Sequence, residues 1–483
     1  MMFEGDGGAW LGIDLGTQSV RALLVTGDGR VLGAGTAPLA GRRDGVRHEQ
    51  DPGEWWEAVC AASRAALAGQ EAAGVRLGGL AVCGTSGTVL LTDGDGRPLT
   101  PGVMYDDGRA VAEAARVGMQ TSWALPKVLW LLEVYGRGLV THQPDVITAR
   151  LTGGGTVPTD SSHALKTGYD VEGEDWPSRL AYLGDVLPEV VRPGTRLGGV
   201  CRAAAEATGI PVGTPVVAGM TDGCAAQIAS GALYEGSWNS VLGTTLVLKG
   251  ASARPVRDTA GVVYNHRAPD GSWLPGGASS VGAGALPTGA GAGVDPVEMD
   301  RLAAAYEPSG VVTYPLASPG ERFPFLAPDA TAFVLGTPAS EADGWAAVLQ
   351  GVAFTERLCL DYLHHLGAPI GGPLTFTGGA ARSAYWNQLR ADILGRPARV
   401  PEQVEPALGM AVLAAHGGTG LSLTDTADRM VRIRTVLEPR PSRTARFVEP
   451  YARLVDELEN RGWLPTPIAT HTRSRLNQET PDS

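Results

Sequence analysis

Asp222 is the residue whose type and position first suggest chemistry. It lies in GMTDGCAAQIASGAL, at the junction between an apolar run that predicts a strand and a run of small residues that predicts a helix. An aspartate at such a junction is a favoured helix N-cap. The same carboxylate could act as a general base, because the positive end of a helix dipole favours its ionised form. The local sequence leaves both interpretations open.

Two turns combine glycine with hydroxyl side chains, and an aspartate precedes the first of them. The residues concerned are Asp14, Gly16, Thr17, Gln18 and Ser19 in IDLGTQSVRA, and Gly243, Thr244 and Thr245 in SVLGTTLVLKG. Successive backbone N–H groups and hydroxyls in such turns can hold phosphate oxygens. Asp14 could hold Mg²⁺ through water, because Mg²⁺ keeps several of its waters in proteins. Each turn taken alone favours an ordinary β-hairpin.

A third glycine-containing turn has two adjacent glycines. Gly378 and Gly379 follow a predicted strand and precede a predicted helix in TFTGGAARSAYWNQLRADILG. Two glycines allow a flat ligand to approach the backbone closely. The next predicted helix, VEPALGMAVLAAHGG, consists mostly of small residues, which permit close approach of either a neighbouring helix or an adenine ring. Taken alone, helix packing is the simpler explanation.

The elements that carry these residues follow an α/β pattern. AWLGIDLGTQSVRALLVTGDGRVLG predicts consecutive β-hairpins, because apolar runs of strand length flank an Asp–Gly turn. A helix is predicted after Asp51, with Asp51 as its N-cap and Pro52 at its first position. Further along the chain, strand signals alternate with turn or helix signals.

The first and second glycine–threonine turns also form an internal echo. GIDLGTQSVRALLV and NSVLGTTLVLKG both place Leu–Gly–Thr in a turn between two runs with high strand propensity. The echo predicts two similar α/β halves, each of which opens with a hairpin, and a cleft between them.

Composition and charge narrow the class of protein. The chain has 483 residues, of which 43% are hydrophobic and 19% charged, as in soluble globular proteins. A net charge of -12 argues against a nucleic-acid-binding protein, which usually carries a basic face. No apolar run reaches the roughly 20 residues of a membrane helix. Five scattered cysteines predict reduced thiols and a cytoplasmic location.

Four units occur in order along the chain. They are a strand followed by DLGT, a strand followed by Asp–Gly and a helix, a strand followed by GTT, and a strand followed by GG and a helix. This order resembles the FGGY family of carbohydrate kinases, within the actin-like, ribonuclease-H-like superfamily, from about Trp10 to about Gly418. The resemblance implies an α/β fold of two ribonuclease-H-like (actin-like) domains, with a nucleotide and sugar cleft between them.

The resemblance also implies domain boundaries. Residues 1–249 are expected to form an N-terminal domain that binds sugar and carries the catalytic base. Residues 250–438 are expected to form a C-terminal domain that binds adenosine. Residues 439–483 are expected to form a C-terminal extension, and its polar end, HTRSRLNQETPDS, is predicted to be disordered.

Individual residues acquire expected roles from the same resemblance. Asp222 matches the catalytic base, a role that is compatible with capping a helix. The ATP phosphates are expected at both glycine–threonine turns, with Asp14 as the Mg²⁺ ligand. The segments GGAARSAYWNQLRADILGRP and EPALGMAVLAA match the adenosine-binding region of the family. The expected adenosine contacts are Gly378, Gly379, Ala380 and Asn387.

The predicted substrate is D-ribulose, which would be converted to D-ribulose 5-phosphate. D-xylulose kinases carry Gln–Met–His–Gly at the point where this chain has CGTSGTVLL. GTSGT and HALKTGYD are instead similar to plant and cyanobacterial D-ribulose kinases. MYDDGRA is closer to the xylulose kinases, so a D-xylulose or polyol kinase remains the alternative.

The expected sugar contacts are Ser86 of GTSGT, Asp107 and Arg109 of MYDDGRA, and Asp222. Ser86 could equally stabilise a turn. Asp107 and Arg109 could equally form a surface ion pair of little energetic value.

A function of a different class is an actin-like ATPase without a sugar substrate. It would share the phosphate turns, but the chain lacks any peptide-binding β domain after the nucleotide region. The expected ligands are therefore ATP, Mg²⁺ and a small-molecule sugar, with neither nucleic acid nor membrane as a partner. A homodimer is compatible with the sequence, which does not fix the oligomeric state.

Overall fold

The computed structural model describes residues 8–69, 71, 74–286 and 295–479. They divide into two compact units. The first unit contains the described residues up to Gly231, together with His266–Ser272 and Gln403–Arg432. The second contains Ala232–Asn265, the described part of Trp273–Glu402, and the described residues from Ile433 onward. The first continuous segment of the first unit thus ends upstream of the predicted boundary between residues 249 and 250, and two later segments of the chain also belong to this unit.

The strands within the described residues are as follows. They are β1 (Ala9–Leu15), β2 (Ser19–Thr26), β3 (Val31–Pro38), β4 (Arg42–Asp44), β5 (Arg47–Gln50), β6 (Leu77–Gly84), β7 (Val89–Thr92), β8 (Gly102–Val103), β9 (Leu139–His142), β10 (Thr159–Asp160), β11 (Val190–Val191), β12 (Arg196–Gly199), β13 (Pro215–Val217), β14 (Trp238–Leu242), β15 (Leu246–Gly250), β16 (Tyr264–Arg267), β17 (Trp273–Ser279), β18 (Val312–Tyr314), β19 (Phe333–Leu335), β20 (Leu374–Thr377), β21 (Ala398–Pro401) and β22 (Ile433–Leu437).

The α-helices of the same part of the chain alternate with these strands. They are α1 (Pro52–Leu67), α2 (Val111–Val117), α3 (Ala124–Tyr135), α4 (Gln143–Thr152), α5 (Ser161–Ala164), α6 (Arg202–Thr208), α7 (Asp222–Ala229), α8 (Pro296–Ala303), α9 (Glu341–His365), α10 (Ala384–Leu394), α11 (Pro406–Thr419), α12 (Leu423–Met430), α13 (Pro441–Thr444), α14 (Val448–Asn460) and α15 (Thr466–Glu479). No helix among the described residues is long and apolar enough to span a membrane.

The central sheet of the first unit has the strand order β12-β13-β6-β1-β2-β3. Strand β1 pairs antiparallel with β2 and parallel with β6, so the predicted first hairpin is confirmed. The prediction for α1 is also confirmed, because Asp51 is its N-cap, accepts a hydrogen bond from the Gly53 N–H, and precedes Pro52. A second sheet of five strands has the order β4-β5-β8-β7-β9.

The second unit repeats the arrangement around β14. Its main sheet has the strand order β17-β15-β14-β20-β21-β22, with β16 next to β17 at the edge. Strand β14 pairs antiparallel with β15 and parallel with β20, as β1 does with β2 and β6. Two similar α/β halves are therefore present, each built on a hairpin that contains a glycine–threonine turn, as the internal echo predicts.

The end of the chain differs from the prediction. The segment predicted to be disordered is helical as far as Glu479, and residues 480–483 lie outside the described part of the chain. Ile468, Thr472 and Leu476 are buried, and their spacing of four residues places them on one face of α15. That face packs against α9 and α14. The polar composition of the segment obscured this narrow stripe of buried residues, which anchors the helix.

Candidate active site

The first predicted phosphate turn follows the buried strand β1. Its backbone closes on itself, since the Gly16 N–H donates to the carbonyl oxygen of Ser19 at 3.1 Å. A side chain from outside the hairpin also holds it. Gln50 donates from Nε2 to the carbonyl oxygen of Thr17 at 2.6 Å, and Gln50 in turn accepts a hydrogen bond from the Trp55 indole at 2.7 Å. The turn is thus anchored to α1.

Asp14, at the end of β1, is a buried carboxylate in a crowded electrostatic environment. Burial, followed by the negative charge of Asp222, raises its pKa from 3.8 to about 6. Hydrogen bonding by the Cys83 thiol, which donates to Asp14 Oδ1 at 3.5 Å, acts in the opposite direction, as does the charge of Arg21. The charge of Asp222 thus acts on Asp14 within the first unit.

Asp222 is the first residue of α7, and the prediction that it is the N-cap is wrong by one position. Thr221 is the N-cap. Thr221 also forms a parallel β-bridge with Gly84, so the sheet fixes the start of the helix. The Asp222 side chain is half-buried and accepts a hydrogen bond from the Gly223 N–H at 2.7 Å.

The small-residue helix α11 packs against the elements that carry Asp14 and Asp222. A Cβ atom at Gly12 of β1 would lie 1.7 Å from the carbonyl oxygen of Ala407. A Cβ atom at Gly409 of α11 would lie 2.0 Å from the carbonyl oxygen of Ala225 in α7. Both contacts require glycine. Close packing therefore accounts for the composition of this helix, and contact of EPALGMAVLAA with adenosine stays a prediction.

The GTSGT segment forms a tight loop between β6 and β7. Thr85 donates from its backbone N–H and from its hydroxyl to Gln143 Oε1, both at 2.8 Å, and the Thr85 and Thr88 hydroxyls are 2.6 Å apart. Within the described residues, the enclosed Ser86 Oγ has no hydrogen-bond partner. A buried hydroxyl without a partner is costly unless a ligand or water satisfies it.

Two lysines hold the backbone carbonyl groups of this loop. The Lys166 ammonium donates to the Ser86 carbonyl at 3.2 Å. The fully buried Lys127 ammonium donates to the carbonyl groups of Gly87, Tyr105 and Trp123 at 3.1–3.3 Å. Burial, with the nearby charge of Lys166, lowers the pKa of Lys127 from 10.5 to about 7. Lys127 therefore connects the GTSGT loop to the segment that contains Asp107.

Asp107 and Arg109 form a buried ion pair, and the surface pair weighed as the alternative is wrong. Arg109 donates to both carboxylate oxygens of Asp107, at 2.9 and 2.7 Å, and to Glu49 at 2.6 Å. Its guanidinium lies 4.8 Å from the centre of the Trp130 ring. Asp107 also accepts from the His48 N–H at 2.6 Å. These contacts give the pair a structural role, while its predicted contact with sugar stays a prediction.

The second glycine–threonine turn lies between β14 and β15 in the second unit. The Gly243 N–H donates to the Thr245 carbonyl at 3.0 Å, so this turn closes two residues after its glycine, whereas the first turn closes three residues after Gly16. The double-glycine turn after β20 lies next to it. A Cβ atom at Gly378, which has a φ of 84°, would be 2.5 Å from the Leu242 carbonyl, so glycine is required there. The structure thus brings the two predicted nucleotide turns of this unit together.

Asn387, in α10, stabilises the same region. Its Nδ2 donates to the Ala381 carbonyl at 2.8 Å, directly after the predicted contacts Gly379 and Ala380. Its Oδ1 is buried and has no hydrogen-bond partner within the described residues. The amide nitrogen of Asn387 therefore holds the turn, and its oxygen can still accept a hydrogen bond.

Comparison with known proteins identifies the family. Residues 9–229 match the model of the N-terminal domain of the FGGY family of carbohydrate kinases, and residues 238–418 match that of the C-terminal domain. The chain belongs to this family. It is a sugar kinase, and the actin-like ATPase without a sugar substrate is excluded.

Several similar proteins are named xylulose kinase. The xylulose kinase of Streptomyces coelicolor is 32% identical over 466 residues, covering 89% of this chain and 92% of the relative. That of Escherichia coli is 29% identical and covers 84% of this chain and 89% of the relative. A xylulose kinase structure from Rhodospirillum rubrum has a TM-score of 0.81 at 26% identity, covering 94% of this chain and 99% of that one.

Tyr105 is a residue of this kinase that sequence reasoning missed. Burial, followed by the charges of Asp106 and Asp222, raises the pKa of Tyr105, and an interaction with Thr17 of the first phosphate turn acts in the opposite direction. The ring, which is 37% exposed, therefore lies near both the phosphate turn and the predicted base. The segment MYDDGRA contains Tyr105, but nothing in that segment marks the tyrosine as a site residue.

The predicted site residues of the kinase fall into two groups. One group surrounds the end of β1 in the first unit and comprises Asp14, Gly16, Thr17, Gln18, Ser19, Ser86 and Asp222, with Asp107 and Arg109 buried behind it. The other, in the second unit, comprises Gly243, Thr244, Thr245, Gly378, Gly379, Ala380 and Asn387. The first group contains two aspartate carboxylates and several hydroxyl groups, and the second contains the backbone groups of two glycine-containing turns.

Proposed function

We propose that this kinase transfers the terminal phosphoryl group of ATP to a hydroxyl of xylulose. The observation that carries the proposal is the position of Asp222 at the start of α7, close to Asp14 and Tyr105. A base, an oxygen ligand and a hydrogen-bonding phenol are thereby assembled beside a turn that carries hydroxyl groups. The names of the similar kinases support the choice of sugar.

The mechanism requires the chain mainly to position groups and to accept one proton. Asp222 accepts the proton of the sugar hydroxyl as that oxygen forms its bond to the terminal phosphorus. The bond from phosphorus to the bridging oxygen breaks, and ADP leaves. Because phosphoryl transfer passes through a loose transition state, positioning and charge stabilisation supply most of the rate enhancement. The turn at Thr17 and Ser19 provides donors to phosphate oxygens.

The residues near Asp14 fit Mg²⁺. Carboxylate oxygen is a ligand that Mg²⁺ prefers, and one carboxylate is sufficient because the ion keeps several waters and phosphate oxygens. The described residues contain no group of three or more His, Cys, Asp or Glu side chains placed to hold a metal by themselves. When bound, Mg²⁺ would neutralise charge on the phosphates, with Asp14 as its protein ligand.

The choice of xylulose replaces the prediction of D-ribulose. That prediction rested on GTSGT and on short similarities, whereas the similarity to xylulose kinases extends over 89% of the chain. D-Xylulose and D-ribulose differ in configuration at one carbon. A pocket that hydrogen-bonds one configuration loses about 1–3 kcal/mol per unpaired group with the other.

The test measures ADP formation with D-xylulose, D-ribulose and glycerol as separate acceptors. We expect the highest kcat/KM with D-xylulose. A higher value with D-ribulose would overturn the choice of sugar but leave the kinase mechanism intact. An absence of sugar-dependent ADP formation with all three would refute the proposal.

The role of Asp222 is tested by Asp222→Asn, which keeps the size of the side chain and removes the base. We expect a folded protein whose kcat is roughly 10²–10⁴-fold lower, the range for a positioned general base. Asp185→Asn, at an exposed aspartate of the same unit, is the matched control. Turnover of Asp222→Asn close to that of the control would exclude Asp222 as the base.

A further inference from the structure

A buried network lies directly behind the start of α7. Asp160, the N-cap of α5, is almost completely buried and accepts hydrogen bonds from the Ser162 N–H at 2.9 Å and from the Ser162 hydroxyl at 2.5 Å. Its other oxygen lies 2.5 Å from Nδ1 of His163. His163 is fully buried, and its Nε2 lies 3.3 Å from the carbonyl oxygen of Gly84.

The partners of His163 determine its protonation. A carboxylate and a backbone carbonyl can only accept hydrogen bonds, so both ring nitrogens must donate. An imidazole ring donates from both nitrogens only as the imidazolium cation. Although burial opposes the charge, Asp160 and, more weakly, Asp145 and Asp222 raise the pKa of His163. For Asp160, burial acts to raise the pKa. The charge and hydrogen bond of His163 outweigh burial, so the pKa of Asp160 is lowered.

The neighbouring His142 provides an internal contrast. It is also fully buried, and its ring centre lies 5.8 Å from that of His163. Its ring nitrogens lie 2.9 Å and 2.8 Å from the hydroxyls of Thr159 and Thr167. Hydroxyl groups both donate and accept, so a neutral His142 satisfies all of these contacts.

The network reaches the catalytic region through two connections. The Ser162 hydroxyl accepts a hydrogen bond at 2.9 Å from the Thr221 N–H, immediately before Asp222. His163 holds Gly84, which forms the β-bridge with Thr221. Asp160 and His163 therefore fix both sides of the point at which α7 begins.

We propose that Asp160 and His163 form a buried carboxylate–imidazolium pair that positions the N-terminus of α7, and with it the base Asp222. His163 is a positioning residue, because it acts through Thr221 and Gly84 rather than on the substrate. The proposal deepens the proposed function and rests on it for the role of Asp222. The protonation of His163 can be measured without any assay of activity.

The first experiment is ¹⁵N NMR of histidine-labelled protein at pH 8. We expect one buried histidine to be an imidazolium, and its signal to be missing in His163→Gln. In Asp160→Asn the same ring should have the signal of a neutral imidazole, because its counter-charge is gone. A neutral His163 in the wild-type protein at pH 8 would overturn the proposal, whatever the activity.

The second experiment separates positioning from general damage. We expect His163→Gln to lower kcat about tenfold or more, since small displacements of a reacting group are costly, with little change in the KM of sugar or ATP. His142→Gln is the matched control. We expect it to lower kcat less than His163→Gln does, because His142 does not hold the start of α7. Equal effects of the two substitutions on kcat would refute a specific role for His163. A wild-type protein without sugar kinase activity would instead refute the proposed function.

Discussion

Replacing Asp14 by Asn should make the protein more stable while removing its activity. The pKa of Asp14 is raised from 3.8 to about 6, first by burial and then by the charge of Asp222. A pKa that differs by one between the folded and unfolded states corresponds to about 1.4 kcal/mol between the charged and neutral forms. The rise from 3.8 to about 6 therefore means that ionised Asp14 destabilises the fold by roughly 3 kcal/mol.

The sign of the pH dependence follows from the direction in which the pKa moves. Between about pH 4 and pH 6 the folded protein holds a proton on Asp14 that the unfolded chain has released. Stability contributed by this group therefore falls as pH rises through that interval, and the whole cost is present above pH 6. Asn is neutral at every pH. The stabilisation of Asp14→Asn relative to wild type should thus be greatest above pH 6 and vanish near pH 4.

The assay is chemical and thermal unfolding at pH 8 and at pH 4.5, with a chelator and without nucleotide. At about 2–4 °C per kcal/mol for a domain of this size, the variant should unfold several degrees above wild type at pH 8. Sugar-dependent ADP formation should be lost, because the proposed Mg²⁺ ligand is gone. Asp185→Asn, an exposed aspartate, should change neither property. An Asp14→Asn protein that is no more stable than wild type at pH 8 would refute the reasoning.

Three further changes test other parts of the site. Gly409→Ala would place Cβ 2.0 Å from the Ala225 carbonyl, so α7 must move by about 1 Å and kcat should fall about 10²-fold. The control Gly27→Ala, which has no atom within 4 Å of the added Cβ, should leave kcat unchanged. Normal turnover of Gly409→Ala would show that α11 moves instead of α7. Lys127→Met should raise the KM for sugar and not that for ATP. In the wild-type protein the KM for sugar should rise above pH 7, where Lys127 loses its charge, and this rise should be absent from the variant. A wild-type KM that is constant across pH 7 contradicts this role. Ser86→Ala should lower kcat/KM for the preferred ketopentose roughly ten- to a hundredfold, the equivalent of about 1–3 kcal/mol, and unchanged constants would assign Ser86 to the loop alone.

The features that the sequence could predict depend on neighbouring residues. The hairpins, the Asp51 cap and the glycine–threonine turns each arise from residues within a few positions of one another, and the structure has them as predicted. The sequence predicts the start of α7 one residue too late, because the contact that decides it is not local. Thr and Asp are both good caps, and the bridge between Thr221 and Gly84, which selects Thr221, joins distant parts of the chain.

The features that sequence reasoning missed depend on long-range packing. Arg109 is buried because Glu49, 60 residues earlier, and the ring of Trp130 enclose it. Gln50 belongs to a segment that helix capping already explained, and only the fold shows that it holds Thr17. Nothing in the local sequence around Tyr105 indicates that its phenol meets the phosphate turn. Such residues are recognised only once the fold brings partners from distant parts of the chain together.

The charge of Asp222 acts on both Asp14 and His163, in one case on an acid and in the other on a base. Asp14 and Asp222 repel each other, and the cost of keeping Asp14 ionised is reflected in its raised pKa. His163, held by Asp160, places a buried positive charge near Asp222. Removing Asp14 relieves the repulsion, whereas removing His163 leaves Asp160 as a buried charge without its partner, a loss typically of about 3–5 kcal/mol. Asp14→Asn and His163→Gln should therefore change stability in opposite directions at pH 8, although both reduce turnover. Changes of the same sign would mean that the two charges do not act on the same part of the fold.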